Sequence, residues 1–338
     1  SLLSDMKKSV DLIIECINNG KNIWIYGDYD VDGITSTSIL YLALKDLGAE
    51  FLNYYIPIRD EGYGLNNTAL KTIKNSGADL LITVDCGITS FKEIEFAKSI
   101  GLDVIITDHH DIQSDKIPNA YSIINPKRTD NAFTFNALAG VGVAFMLILN
   151  LYEKLKTKEE AYVYLDLVAI GTIADIVPLV KENRIFAKHG LEKLLYSENK
   201  GLRFLITKLF ETAKLEFTTY DVGFVIAPVF NAAGRLKDAK MVVKLLTSDN
   251  DREIEVISKE LINKNFERRE LQTTLVELVE ANIQKNNLND NLVIVDASSE
   301  YHHGIIGIIA SKVVDAHYKP AIIMEIKERS EEHTSELQ

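Results

Sequence analysis

Ile23-Trp24-Ile25-Tyr26-Gly27-Asp28-Tyr29-Asp30-Val31-Asp32-Gly33 sets an apolar run directly against three aspartates at alternate positions. The run reads as a buried strand. Alternate residues of an extended segment point the same way, so Asp28, Asp30 and Asp32 are expected to converge on one small volume. Like charges that close are unfavourable unless a cation or a proton compensates. Oxygen-only clusters suit hard divalent cations such as Mg²⁺ or Mn²⁺. The stretch therefore predicts a metal-dependent enzyme.

Outward from it, strand and helix alternate. Short apolar runs at 51–56, 79–84, 103–107 and 121–124 join 22–27 as strands, and helices are expected at 34–47, 66–75 and 89–99. Gly48, Gly77 and Gly101 follow those helices, where a left-handed cap is wanted. This alternation predicts an α/β fold with a doubly wound, mainly parallel sheet. Residues 138–248 read as mainly helical, with apolar helices at 138–155 and 162–173. Residues 251–285 read as one long charged helix, without Gly or Pro, that connects two domains. A new unit follows: a strand at 292–296, a helix at 304–317 and a strand at 321–324.

Three more clusters carry metal-type side chains. They are Asp85 in Val84-Asp85-Cys86-Gly87, the triplet Asp108-His109-His110, and Asp175 in Ala174-Asp175-Ile176-Val177-Pro178. Each has an ordinary reading, since a strand-end Asp is often a helix cap. Their joint placement argues otherwise. The opening triplet, Asp85 and Asp108-His109-His110 all fall at carboxyl ends of expected parallel strands, where open α/β sheets bind ligands. The ligand supply exceeds what one octahedral cation uses, which predicts two cations, with Asp85 as the natural bridge. The imidazoles favour Mn²⁺ over Mg²⁺. His109 and His110 are neighbours, so one can be a ligand while the other faces substrate; spacing does not say which. Arg235, among the small residues of Asn231-Ala232-Ala233-Gly234-Arg235-Leu236, could contact a phosphate or simply end a helix. Tyr63 could stack on a base or sit at the edge of a core.

Composition sets bounds. The chain has 338 residues, 46% hydrophobic and 25% charged, enough for two or three soluble domains. No apolar run is long enough to span a bilayer, and no apolar leader is visible. Two cysteines, Cys16 and Cys86, exclude a disulfide framework. Cys86 reads as a small residue in a tight turn rather than a nucleophile. A net charge of −12 weighs against a nucleic-acid partner, although catalytic carboxylates count towards it. The first residue is Ser1, so the natural start is expected upstream. The last ten residues, from Arg329 to Gln338, match the translation of a sequencing-library adapter and are set apart as non-native, with the natural protein expected to continue.

These motifs, with Glu61-Gly62-Tyr63-Gly64-Leu65, Leu138-Ala139-Gly140-Val141-Gly142 and Asn231-Ala232-Ala233-Gly234-Arg235-Leu236, resemble the DHH phosphoesterase superfamily across residues 5–328. Asp28, rather than a His, opens the first motif and points to the single-stranded-DNA exonuclease branch. Tyr301-His302-His303-Gly304 is similar to the opening of the DHH-associated second domain. The resemblance implies 5′→3′ hydrolysis of single-stranded DNA with Mn²⁺ or Mg²⁺. It implies one cation on Asp28, Asp30 and Asp85, and another on Asp32, Asp85, His109 and Asp175. His110 would face the scissile phosphate beside Asp108; Arg235, Asn231, Tyr63 and His302 would be on the substrate side. It further implies a cytoplasmic monomer in DNA repair, with single-strand-binding protein and helicase as partners. The implied organisation is a DHH domain at 1–248 (α/β core 20–180, helical part 181–248), a connecting helix at 249–286 and an incomplete DHH-associated domain at 287–328. The alternatives are a phosphodiesterase for short RNA or cyclic dinucleotides, and an inactive scaffold.

Overall fold

In the computed structural model of the chain, the apolar run Ile23–Tyr26 forms β1. The structure describes residues 2–113, 116–210, 212–235 and 239–326, with Arg235 described by its backbone alone. Leu236 and the adapter-like tail lie outside the described residues. Beside β1 run β2 (Leu52–Tyr55), β3 (Leu80–Val84), β4 (Asp103–Thr107) and β5 (Ser122–Ile124). All pair in parallel, in the order β2-β1-β3-β4-β5.

Alternation along the strands divides the core. Ile23, Ile25, Ile82, Val84 and Ile105 join one buried cluster with residues of α1 (Met6–Asn18), α2 (Val31–Asp46) and α5 (Gly140–Leu155). Tyr26, Leu81, Val104 and Ile106 join the other, with residues of α3 (Asn67–Asn75) and α4 (Phe91–Ser99). Both faces of the sheet are covered, which is why its strands read as continuous apolar runs. Every residue of β3 is buried, and fully burying a Leu or Ile side chain is worth roughly 1.5–3 kcal/mol. Gly48, Gly77 and Gly101 take φ of 95°, 85° and 68° after their helices, as a left-handed cap demands.

Register then sets the chemistry in a row. Tyr26 pairs with Thr83, and Val84 with Thr107. Counting on, Asp28, Asp85 and Asp108 end three neighbouring strands at the same level. The Asp85 N–H donates to the Thr107 carbonyl at 3.0 Å, and the Asp108 N–H to the Ile124 carbonyl at 3.1 Å. The strand order reverses between β1 and β3, so the row straddles the switch point of the sheet.

The helical region continues with a 3₁₀ turn at Lys158–Tyr164, α6 (Leu165–Ala174), α7 (Lys181–Leu194), α8 (Lys200–Leu209), α9 (Ala227–Arg235) and α10 (Lys240–Thr247). Small residues let α2 and α6 cross closely. A Cβ on Gly171 would meet Thr35 Oγ1 at 2.3 Å. The buried hydroxyls of Thr35, Thr37 and Ser38 bond back to carbonyls of their own helix. That crossing carries Asp175, the residue after α6, towards the start of α2.

The chain divides into two compact units, Ser1–Ile262 and Asn263–Gln338, and α11 (Asp251–Lys285) runs across their boundary. In the second unit, β6 (Ile294–Ser298) and β7 (Ala321–Glu325) pair in parallel beside α12 (Ile306–His317). Leu275, Val279, Ile283, Ile309 and Val313 form its core with Tyr301. The Tyr301 hydroxyl donates to Asp296 and accepts from Asn282. Among the described residues no helix is long and apolar enough to cross a membrane.

Several expected bounds move. The helix expected from residue 34 starts at Val31, because Asp30 caps it. The helix expected at 162–173 is a 3₁₀ turn followed by α6. The strand expected from Leu292 begins at Ile294, with Leu292 in solvent.

Candidate metal centre

The three aspartates of the opening stretch converge, but not by strand alternation. Asp28 follows β1 in an irregular turn. Asp30 is the N-cap of α2, its Oδ1 accepting from the Gly33 N–H at 3.0 Å. Asp32 lies in the first helical turn, fully buried. The expectation of one extended segment fails because Asp30 accepts the cap bond and the helix begins at once. The turn is tight: a Cβ on Gly33 would sit 2.6 Å from the Asp28 backbone.

Asp32 is also held from the far side. Its two oxygens accept the Gly140 and Val141 N–H groups at 2.6 and 2.7 Å. These are the orphan donors of the α5 N-terminus, where a carboxylate is favoured. Gly140 is needed for closeness as well. A Cβ there would stand 2.4 Å from Asp85 Oδ1. The apolar run from Leu138 signalled this helix in the sequence, although not its bond to Asp32.

Asp85 leaves β3 with φ of 61°, in the left-handed region, which Asp tolerates better than most residues. The turn is completed by Gly87 at φ 112°, and Cys86 is buried within it. His109 Nε2 lies 3.1 Å from Asp85 Oδ1, 3.7 Å from Asp175 Oδ2 and 3.8 Å from Asp32 Oδ2. Ligand-type atoms of Asp28, Asp30 and Asp85 lie within 4.8 Å of one another, as do those of Asp32, His109 and Asp175, and of Asp85, His109 and His110.

The electrostatics are unbalanced. Burial first, and the Asp30 charge second, push the carboxyls of Asp28 and Asp32 far above the usual range. Burial and then the Asp32 charge do the same to Asp85 and Asp175. Burial pushes His109 down, against the pull of Asp175. Asp28 Oδ1, Asp85 Oδ1 and Asp175 Oδ2 are buried without a hydrogen-bond donor among the described residues. The 3.1 Å approach of His109 Nε2 to Asp85 Oδ1 is a close contact outside hydrogen-bonding geometry. Native proteins rarely leave buried polar atoms in that state without a functional reason. Three such oxygens at one spot fit divalent cations, with the hard oxygen donors and single imidazole that Mn²⁺ and Mg²⁺ accept.

Asp108 differs from these. It stands beside His110, fully buried, and accepts four donors. They are the backbone N–H groups of Ile88 (2.8 Å), His109 (2.7 Å) and His110 (3.1 Å), and the His110 ring Nδ1 at 2.7 Å. Burial alone would raise its pKa, but the His110 bond and charge hold it below the usual value. For His110 burial works downward, and the Asp108 bond wins and raises it. Asp108 thus orients His110 and favours its protonated form, while the His110 ring, 42% exposed, reaches the open side. Tyr63 Oη lies 3.0 Å from His110 Nδ1 and 3.2 Å from the Asp85 carbonyl, its ring edge-on to the imidazole.

Asn231 and Arg235 lie on α9, Asn231 half-buried. A Cβ on Gly234 would meet the Tyr29 carbonyl at 2.4 Å, so that small-residue motif packs against the aspartate loop. His302 belongs to the second unit, where its Nδ1 accepts the Gly304 N–H at 3.1 Å.

Known proteins resemble this chain in sequence and in fold. The model of the DHH family, N-terminal domain, matches residues 22–172. A crystal structure of exonuclease RecJ bound to manganese superposes with a TM-score of 0.85 at 34% identity, covering 96% of this chain and 81% of that one. The chain belongs to the RecJ family. The single-stranded-DNA-specific exonuclease RecJ of Bacillus subtilis strain 168 is 41% identical over 327 residues, 96% of this chain and 40% of that protein. The RecJ of Escherichia coli K12 is 36% identical over 337 residues, 95% of this chain and 58% of that protein. The chain thus spans about half the length of these RecJ relatives.

Proposed function

We propose that the chain carries the catalytic part of a metal-dependent 5′→3′ exonuclease that hydrolyses phosphodiester bonds of single-stranded DNA. The observation that carries this reading is the set of buried, donor-less carboxylate oxygens on Asp28, Asp85 and Asp175 around His109. Membership of the RecJ family supports the choice of substrate.

On this reading Asp28, Asp30 and Asp85 hold one Mn²⁺ or Mg²⁺, and Asp32, Asp85, His109 and Asp175 the other. When bound, such a pair supplies Lewis acidity to a phosphodiester and acidifies water. The chain's own residues do the rest. Asp32, fixed by the α5 N-terminus, and Asp30, fixed by its cap bond, hold their carboxylates still. His110 holds a proton on a ring oriented by Asp108 and presents it to the leaving-group side. Tyr63 steadies that ring and offers an exposed aromatic edge to a base. Arg235 and Asn231 serve the DNA backbone, and His302 acts from the second domain. The same reading carries residues 1–248 as the DHH domain, 249–286 as the connecting helix and 287–328 as the start of the DHH-associated domain. It also carries DNA repair in the cytoplasm, a monomeric state, and single-strand-binding protein and helicase as partners.

The test is a digestion assay on the full-length protein with Mn²⁺, comparing 5′-labelled single strand, duplex, short RNA and a cyclic dinucleotide. Single strand is expected to be consumed first, chelation to stop it, and Asp85→Ala to abolish it in a folded protein. Undiminished digestion by the variant sinks the metal assignment, and preference for a dinucleotide sinks the substrate.

A further inference from the structure

Beyond His109 and His110 the centre opens into a cleft of about 860 Å³, within the roughly 300–1,000 Å³ typical of ligand pockets. Part of its lining is apolar, from Ile117, Ile176 and Pro178, and part is cationic, from Lys127. Lys127 Nζ pairs at 2.8 Å with Asp111, whose side chain is 89% exposed. With one partner in solvent the pair is worth little, and the half-buried Lys127 ammonium can exchange it for a phosphate.

Ile176 is the unusual residue of that lining. It directly follows Asp175, takes φ of 60° and is 88% exposed. A β-branched side chain in the left-handed region is strained, and strain of this kind persists at ligand-handling sites. Gly or Asn would close the same turn, in which the Ile176 N–H donates to the Ile173 carbonyl at 3.2 Å, without that cost. Packing within the described residues covers little of the side chain. Both costs fall one residue from a carboxylate of the metal centre, at the mouth of the cleft.

We propose that this cleft is a nucleobase subsite in which Ile176 is the apolar platform for the base next to the scissile phosphodiester. The inference rests on the nuclease reading above. A base brings an apolar face, which any of the four can lay on an aliphatic platform, so the contact is sequence-tolerant. The linking phosphate falls to the cation side, where Lys127 stands.

The experiment uses the full-length protein with Mn²⁺ and single strands carrying either normal or abasic nucleotides near the 5′ end. Wild type, Ile176→Asn and Ile176→Val are compared. Asn suits the left-handed backbone and removes the platform; Val keeps it. Wild type is expected to lose about tenfold in kcat/KM on abasic strands, from the lost apolar contact. Ile176→Asn is expected to show that loss in KM on normal strands, with kcat unchanged, a melting temperature no lower than wild type, and no further penalty on abasic strands. Ile176→Val should stay near wild type. If Ile176→Asn discriminates against abasic strands as wild type does, or fails to fold, the subsite proposal is overturned. A wild type that digests neither strand overturns the nuclease reading instead.

Discussion

Two buried aspartates end neighbouring strands and meet opposite fates. Asp85, at the end of β3, has an oxygen without a donor, and burial with the Asp32 charge pushes its pKa well up. Asp108, at the end of β4, accepts four donors, and its pKa is held down against burial. Depth does not separate them, since both are almost inaccessible. The supply of donors does. A buried carboxylate with its donors present is a structural anchor, and one without them waits for a cation.

The strongest way to break this comparison is Asp85→Ala. Activity should vanish, while the metal-free protein should lose no stability, because a buried carboxyl oxygen without a donor has gone. Wild type should gain about 2.7 kcal/mol at Mn²⁺ a hundredfold above its Kd, and the variant should gain far less. A variant that melts much lower without metal would show Asp85 to be an anchor like Asp108.

Gly140→Ala attacks the same carboxylate from outside, since its Cβ would stand 2.4 Å from Asp85 Oδ1. Displacement by such an amount should cost about a hundredfold in kcat, with the fold kept. Equal activity would mean that Asp85 moves aside without consequence.

Asp108→Asn tests the other half. Replacing a charged acceptor of four donors should cost roughly 1.5–3 kcal/mol, visible as a lower urea midpoint. It should also lower the His110 pKa and so move the alkaline limb of activity to lower pH. An unchanged limb would separate Asp108 from His110.

Much of this was legible beforehand. The apolar runs and their glycine caps predicted the parallel sheet, because strands buried on both faces leave no polar alternation to confuse. Asp28, Asp85 and His109 could be grouped because strand register places strand ends level. The role of Asp108 could not, because satisfaction by backbone N–H groups is a property of the folded turn. The Asp32 bond to α5 joins residues 108 apart in the chain, and nothing local encodes it. The convergence of the triplet was read correctly on a wrong geometry. A cap residue and a strand residue look alike when both are aspartate.

A third buried aspartate sharpens the comparison. Asp166, at the start of α6, has two donors: the Leu167 N–H at 2.7 Å and the Ser197 hydroxyl at 2.5 Å. It falls between the other two, raised to about 6 by burial against the pull of Ser197. A raised folded pKa means that the folded state binds the proton more tightly than the unfolded chain. Its contribution is therefore fully present below about pH 4, the unfolded value, and is lost as pH rises through about 6. Asp166→Asn removes that one proton from the balance. Measured by urea unfolding in metal-free buffer, the variant should gain on wild type, by on the order of 1–3 kcal/mol, as pH goes from 4 to 7. A constant difference across that range would mean that two donors suffice to keep a buried carboxylate at its ordinary pKa, and the graded scale from Asp85 to Asp108 would collapse to two classes.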